Sequence, residues 1–325
     1  MLTVNLIGNP HSLGLRRDAE ILRTQLESHG ATVRDVDMFT LRPDESVRGA
    51  DINLFLESLH DGRYLRGYAS ANWLLVNSEY YFPEQWDRHL PLISLVMVKT
   101  THGHNVWRNR LGDSRTLYTS FASRDLHQPG IVKTGWFLHS PGKSMEKGTE
   151  AVAGAWRAGI PHPLTVVTNA ANPLDRQAAH QLQAMFAGIS NVRLLHDISD
   201  EQMTIEMNRN RFFLQPSLYE GWGHSLHEAL SARAVVLTTD APPMREFPGI
   251  DSRMLIPIER VEPRTIIQWH YVGVQGIRET VERAVGLAKR ELELVGDRAR
   301  DGWETERDRF RETFGKAISQ WYSWI

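Results

Sequence analysis

QPSLYEGWGHSLHEALSARAVVLTTDAPPMRE, residues 215–246, carries the reading from which the rest of the chain is organised. The apolar run Phe212–Leu214 before it reads as a short buried strand, and Pro216-Ser217 as the turn that ends it. Two carboxylates follow, Glu220 and Glu228, with Gly221 and Gly223 between them removing side chains where backbone approaches a ligand. Ser225-Leu226-His227-Glu228 has the form of a capping box, so a helix is expected to begin there and carry Ala229, Leu230 and Ala232 into a core. Ala234–Thr238 reads as a second buried strand, and Asp240-Ala241-Pro242-Pro243 as the loop at its end.

Strand, glycine loop, helix, strand and loop describe an open parallel sheet, in which ligands lie beyond the carboxyl ends of the strands. Free amides and the helix dipole there favour an anion such as a phosphate. Glu220 in the loop and Glu228 one turn into the helix would face one crevice, and a carboxylate so placed accepts paired hydrogen bonds from the hydroxyls of a ribose or a sugar ring. Taken singly, Glu228 is the third helical residue of a capping box and Glu220 a solvated loop acid. The two glycines and the PPMRE loop at this spacing outweigh that reading.

The segment resembles the signature of the retaining, nucleotide-sugar-dependent glycosyltransferases with the E-x7-E motif and the GT-B fold, the glycosyltransferase family 4-like or group 1 enzymes. Glu220, Gly221, Gly223, Glu228, Ala229 and Asp240 to Glu246 match it without a gap, and Trp222 stands where phenylalanine is usual. His224, Ser225 and His227 replace mostly apolar positions, and Arg233 a common glycine. These departures leave the donor sugar open. The resemblance implies an α/β protein of two Rossmann-like domains facing across a cleft, with a C-terminal helix that returns to the N-terminal domain.

At 325 residues two domains are expected. A net charge of −2 gives no basic excess for nucleic acid as an obligatory partner. The absence of cysteine excludes disulfides and thiolate metal sites and fits a reducing compartment. MLTVNLIGNP has neither a basic leader nor a small-residue cleavage site, and the apolar run near Leu92–Val98 falls far short of the roughly 18 residues of a membrane span. A cytoplasmic protein is expected, with contact at a membrane surface left open.

Along the chain, Thr3–Ile7 reads as a strand and GNPHSLGLRRD as a turn, framed by Gly8 and Gly14, into a helix. The family's corresponding loop lies near the donor phosphates and acceptor, so Gly14 is a candidate there; turn and packing glycines are the plainer reading. Thr32–Val36, Ile52–Leu56, Trp73–Asn77 and Ile93–Val98 read as strands. The last delivers Lys99, His102 and His104 to the start of a helix, where they could donate to sugar hydroxyls or a developing negative charge. The resemblance makes His102 the candidate that reaches the donor sugar. Two histidines without a paired carboxylate do not make a metal site.

Leu117–Phe121 is expected to close the first sheet and Asp125–Gly130 to be the linker. The domains are therefore placed at residues 1–128 and 129–302, with a terminal helix at 303–325. Trp136–His139 reads as a strand, SPGKS as a loop and Thr149–Trp156 as a helix. Lys143 and Lys147 then lie at a strand-to-helix junction, able to clamp a diphosphate without a metal ion. Lys147-Gly148 matches the family's Lys-Gly pair. Leu164–Thr168 ends at Asn169 and Val192–Leu195 at His196-Asp197. The resemblance places the nucleotide base near the latter, so His196 to Ile198 are candidates to touch it, and Asn169 at the neighbouring strand end completes the candidate set. Trp303, Phe310, Phe314, Ala317, Ile318 and Trp321 recur at helical spacing, as an amphipathic membrane anchor or as the returning GT-B helix; interleaved acids favour packing.

Together these features predict glycosyl transfer from a nucleotide-diphosphate sugar to a hydroxyl of a glycan, lipid-linked or small-molecule acceptor, with retention and without a metal or other cofactor. Glu220 would hold the donor sugar, Glu228 the ribose, and Lys143, Lys147 and the amides of Gly221–Gly223 the leaving diphosphate. Two alternatives stay open: a GT-B enzyme acting on hydroxymethylated DNA, and a nucleotide-sugar-binding protein without turnover.

Overall fold

The computed structural model of the chain describes residues 1–169 and 176–324. Two compact units account for them, Met1–Ala122 with Arg264–Ile267 and Glu306–Ile325, and Ser123–Pro263 with Gln268–Thr305. The division falls inside the irregular segment that follows Tyr118, just ahead of Asp125–Gly130.

The first unit is a parallel sheet of β1 (Thr3–Gly8), β2 (Thr32–Asp37), β3 (Ala50–Glu57), β4 (Ala69–Val76), β5 (Leu95–Val98) and β6 (Thr116–Tyr118), in the order β2-β1-β3-β4-β5-β6. Helices α1 (Leu13–Ser28), α2 (Pro83–Trp86) and α3 (Thr101–Leu111) lie in the connections. A parallel sheet covered on both faces needs apolar runs rather than alternation, and Ala71–Val76 and Leu95–Val98 are buried throughout. Three asparagines enter this interior together. Asn5, Asn53 and Asn72 stand opposite one another on β1, β3 and β4. Asn5 Nδ2 donates to Asn53 Oδ1 at 2.8 Å and Asn53 Nδ2 to Asn72 Oδ1 at 2.9 Å. The ladder also holds the connecting loops through the carbonyls of Val47, Tyr64 and Leu65.

The second unit contains β7 (Thr134–Gly142), β8 (Leu164–Thr168), β9 (Val192–His196), β10 (Asn210–Gln215), β11 (Val235–Thr239) and β12 (Leu255–Ile256), in the order β12-β11-β10-β7-β8-β9. Its helices are α4 (Thr149–Arg157), α5 (Arg176–Ala184), α6 (Asp200–Arg209), α7 (His224–Ser231) and α8 (Val274–Val285). Counted from β7, the strands run 6-5-4-1-2-3, the doubly wound arrangement read from its far edge. An antiparallel hairpin, β13 (Ile258–Pro263) and β14 (Gln268–Val272), forms a two-stranded sheet of its own, and His270 N donates to Leu218 O in the loop after β10 at 2.9 Å.

The final helix, α9 (Lys289–Ser319), is longer than the expected terminal helix: it starts 14 residues before Trp303. Its charged first turns hide it from a search for apolar spacing, yet Val295, Ala299 and Trp303 are buried there. Residues up to Thr305 belong to the second unit and those from Glu306 to the first. Phe310, Phe314 and Ile318 are buried within the first unit, so this face is core rather than a surface for lipid. The Phe310 ring lies 4.7 Å from that of Phe121, and Thr313 Oγ1 donates to Thr119 O at 2.7 Å.

Candidate functional site

In the second sheet the strand order reverses between β7 and β10, and ligands of such sheets collect in the crevice outside the carboxyl ends at that point. The loops leaving these two strands are fastened together. Leu218 N donates to Glu146 O at 2.9 Å. Lys147 Nζ donates to Glu220 Oε1 at 2.5 Å, and Ser217 Oγ donates to the same oxygen at 2.6 Å. Gly148, at φ +69°, lies so close to Pro216 that a Cβ would sit 2.2 Å from its carbonyl oxygen. Beneath, His139 Nδ1 faces Leu214 O at 2.8 Å and its Nε2 faces Thr149 Oγ1 at 2.9 Å, which ties β7, β10 and the start of α4 together. A carbonyl only accepts, so the proton is on Nδ1 and Thr149 donates to Nε2.

The Glu220 side chain is 5% exposed and that of Lys147 22%. A carboxylate held in this way is oriented before any ligand arrives, and the ammonium beside it can turn to a phosphate while Glu220 accepts from a hydroxyl.

Helix α7 begins at His224, two residues earlier than a capping box with Ser225 as its N-cap requires. Gly223 is its N-cap in the left-handed region, and no side chain caps the helix. Glu228 is therefore not the third helical residue of a capping box. Its carboxylate, 2% exposed, accepts from Arg124 Nε at 2.9 Å, and Arg124 also pairs with Asp200 at 2.7 Å. Sequence reasoning missed Arg124, a single arginine in a segment without pattern, beside the expected linker. Trp222 points inward: its ring stacks on His227 at 3.7 Å, and Nε1 donates to Ser123 Oγ at 2.9 Å. Its ring is thus packing in the unit's interior and is not open to a ligand.

The other candidates are more dispersed. Lys143 is exposed in the loop after β7. Asn169 N donates to Gly142 O at 3.0 Å, holding the end of β8 to the end of β7. His196, at the end of β9, lies 3.0 Å from Thr168 Oγ1 through Nδ1 and 3.0 Å from Asp197 Oδ2 through Nε2. Gly14 and His102 belong to the first unit. Gly14 is exposed in the first turn of α1, with open space where a Cβ would be. His102 is in the first turn of α3, with its pKa lowered by burial. Lys99 is not the open donor expected from its strand-end position: it is buried, donates to Asp18 Oδ2 at 2.6 Å and lies over the Phe121 ring. Among the described residues no three His, Asp or Glu side chains converge as ligands for a metal ion.

Two histidines of the second unit are held neutral. Burial pushes His139 down to about 4, and burial with the nearby His224 pushes His227 well below its ordinary value. Among the described residues neither ring nitrogen of His227, between Trp222 and Phe247, has a hydrogen-bond partner. Both imidazoles take up a proton in the unfolded chain near pH 6.5 and resist it in the folded one. Their neutral state costs nothing above that pH, and stability falls as pH drops from 6.5 towards 4. For His139 alone the interval is worth about 3 kcal/mol. Denaturant titrations across this range should show the loss, and His227→Phe should flatten the slope by up to about 1.4 kcal/mol per pH unit. An unchanged slope would show that His227 titrates normally.

Residues 175–249 match the family described as Glycosyl transferases group 1. The chain matches none of the curated protein sequences. Among solved structures, the sucrose-phosphate synthase of Thermosynechococcus elongatus superposes with a TM-score of 0.73 at 13% identity, covering 99% of this chain and 100% of that one. HepE from Anabaena, solved with UDP and glucose, gives 0.73 at 11% identity over 98% and 100%. A trehalose-6-phosphate synthase, studied for glycosyl transfer with retention, gives 0.68 at 11% over 98% and 99%. The matched segment, about a quarter of the chain, holds the loop after β10, helix α7 and strand β11, and over its whole length the chain shares the GT-B fold of these glycosyltransferases.

Proposed function

We propose that the chain moves a glycosyl group from a nucleoside-diphosphate sugar to an acceptor hydroxyl with retention of anomeric configuration. The observation that supports this reading best is the Lys147–Glu220 pair at the β7–β10 switch point. The bond from anomeric carbon to diphosphate oxygen breaks as positive charge grows on the sugar and negative charge on the leaving group. Lys147, Lys143 and the first amides of α7 meet that negative charge, a preorganised electrostatic contribution that needs no metal ion. Glu220 accepts from the donor sugar and Glu228, held by Arg124, from the ribose. The acceptor oxygen bonds to the anomeric carbon, and its proton leaves on the departing phosphate. HepE, with UDP and glucose, is a reason to try uridine donors first.

Thermal denaturation with uridine, guanosine and adenosine diphosphates and their sugars tests the reading, because a ligand that binds only the folded chain raises Tm by mass action. One nucleotide class is expected to do so, and Lys147→Ala and Glu228→Ala to abolish the response. Release of diphosphate with an acceptor panel is expected to persist in chelator. Binding without turnover over every acceptor would leave a nucleotide-sugar-binding protein, and equal binding by both variants would remove the site assignment.

A further inference from the structure

In the first unit the chain leaves β1 for β2 on one side and returns as β3 on the other, so this sheet has its own switch point between β1 and β3. At the carboxyl end of β3, Ser58 N donates to Leu56 O at 2.8 Å, closing a three-residue turn around Glu57. Glu57 has φ +69°. A γ-turn with positive φ at its centre is the rare, strained form, and glutamate gains nothing there that glycine lacks. The side chain is also unfavourably placed for stability alone. Burial pushes its carboxyl up, against a lowering by Asn77 and Lys99, and Asp18 adds like charge. Asn77 Nδ2 donates to Glu57 Oε1 at 3.1 Å, while Oε2 has no partner among the described residues. A strained backbone and a desolvated acid persist together where the strain serves a site.

We propose that Glu57 is a ligand-gripping residue of the first unit, its Oε2 accepting a hydrogen bond from a hydroxyl of a polyol acceptor, a sugar or sugar phosphate, at the β1–β3 switch point. This rests on the glycosyl-transfer reading for the word acceptor. Asn77, at the end of β4, fixes one carboxylate oxygen and leaves the other aimed at the ligand. Lys99, locked to Asp18, supplies a fixed positive charge nearby without competing for Oε2. The carboxylate selects for a hydroxyl donor and against an acidic group at that position.

Thermal denaturation of the full chain with glucose, fructose and their 6-phosphates, with and without the nucleoside diphosphate, tests this. Glu57→Gly is expected to raise Tm by about 2 °C or more in the absence of ligand, because strain and desolvation are removed together. The same variant is expected to lose the response to whichever polyol shifts the parent and to keep its response to the diphosphate. Glu57→Gln, which keeps the Asn77 contact but not the charge, is expected to weaken polyol binding about tenfold. A fall in Tm for Glu57→Gly would assign the residue a structural role and overturn the proposal. An equal polyol response in that variant, or no response by the parent to any of the four polyols, would do the same. A parent that answers to a polyol but to no nucleoside diphosphate would leave Glu57 standing and remove the donor reading instead.

Discussion

Lys147→Ala is expected to slow glycosyl transfer by ~10²–10³-fold, the loss typical when one preorganised partner of a developing negative charge is removed. Its effect on stability has a separate origin. Glu220 is almost fully buried, and the ammonium is its charged partner, with Ser217 the second donor. Taking away one member of such a pair leaves an uncompensated carboxylate, at a cost of about 3 kcal/mol. The two effects separate in the variant Lys147→Met with Glu220→Gln, where no buried charge remains. That double variant is expected to regain most of the lost stability and none of the rate. If turnover returns with stability, the ion pair is scaffold and the diphosphate is held elsewhere.

How much of this site could be read in the sequence depends on what positions each residue. Strand ends could be read, because a doubly covered parallel sheet writes its strands as apolar runs: Leu95–Val98 and Val235–Thr239 are of that kind. The union of Lys147 with Glu220 is of another kind. The two are 73 positions apart and meet because β10 docks beside β7, a pairing that no local pattern encodes. Only the likeness of both segments to one family placed them in a common site.

Local chemistry misled where backbone conformation decided the outcome. Ser225 to Glu228 fits a capping box, but Gly223 enters the left-handed region and starts the helix two residues sooner, and Glu228 pairs with Arg124 instead. Trp222 is expected among the diphosphate contacts as part of the Gly221–Gly223 segment; its ring turns inward onto His227. Glu57 could not have been found, since a glutamate at positive φ contradicts its own propensity. Such contradictions mark the positions where function overrides local preference.

Glycine substitutions give a graded result, with the largest loss at Gly148. Gly142, Gly148 and Gly223 all have positive φ, so alanine costs each about 1–3 kcal/mol in backbone strain. Surroundings then divide them. A Cβ on Gly142 meets nothing within 4 Å, so Gly142→Ala is expected to lower Tm slightly and leave diphosphate binding near that of the parent. On Gly223 it meets Leu226 Cδ1 at 3.1 Å and the Glu220 side chain at 3.3 Å, atoms that can give way at the expense of Glu220's orientation. On Gly148 it meets the Pro216 carbonyl oxygen at 2.2 Å and Pro216 Cγ at 2.9 Å. Neither can move without parting the loop that holds Lys147 from the loop that holds Glu220. Gly148→Ala is therefore expected to abolish the diphosphate-dependent rise in Tm and with it transfer. The fall in the unliganded Tm is capped, because the loop can detach for less than the free energy of unfolding the unit. Heat denaturation of the three variants, each with and without the diphosphate, would check the order. A Gly148→Ala protein that binds as the parent does would show that the two loops need not stay fastened for the donor to be held.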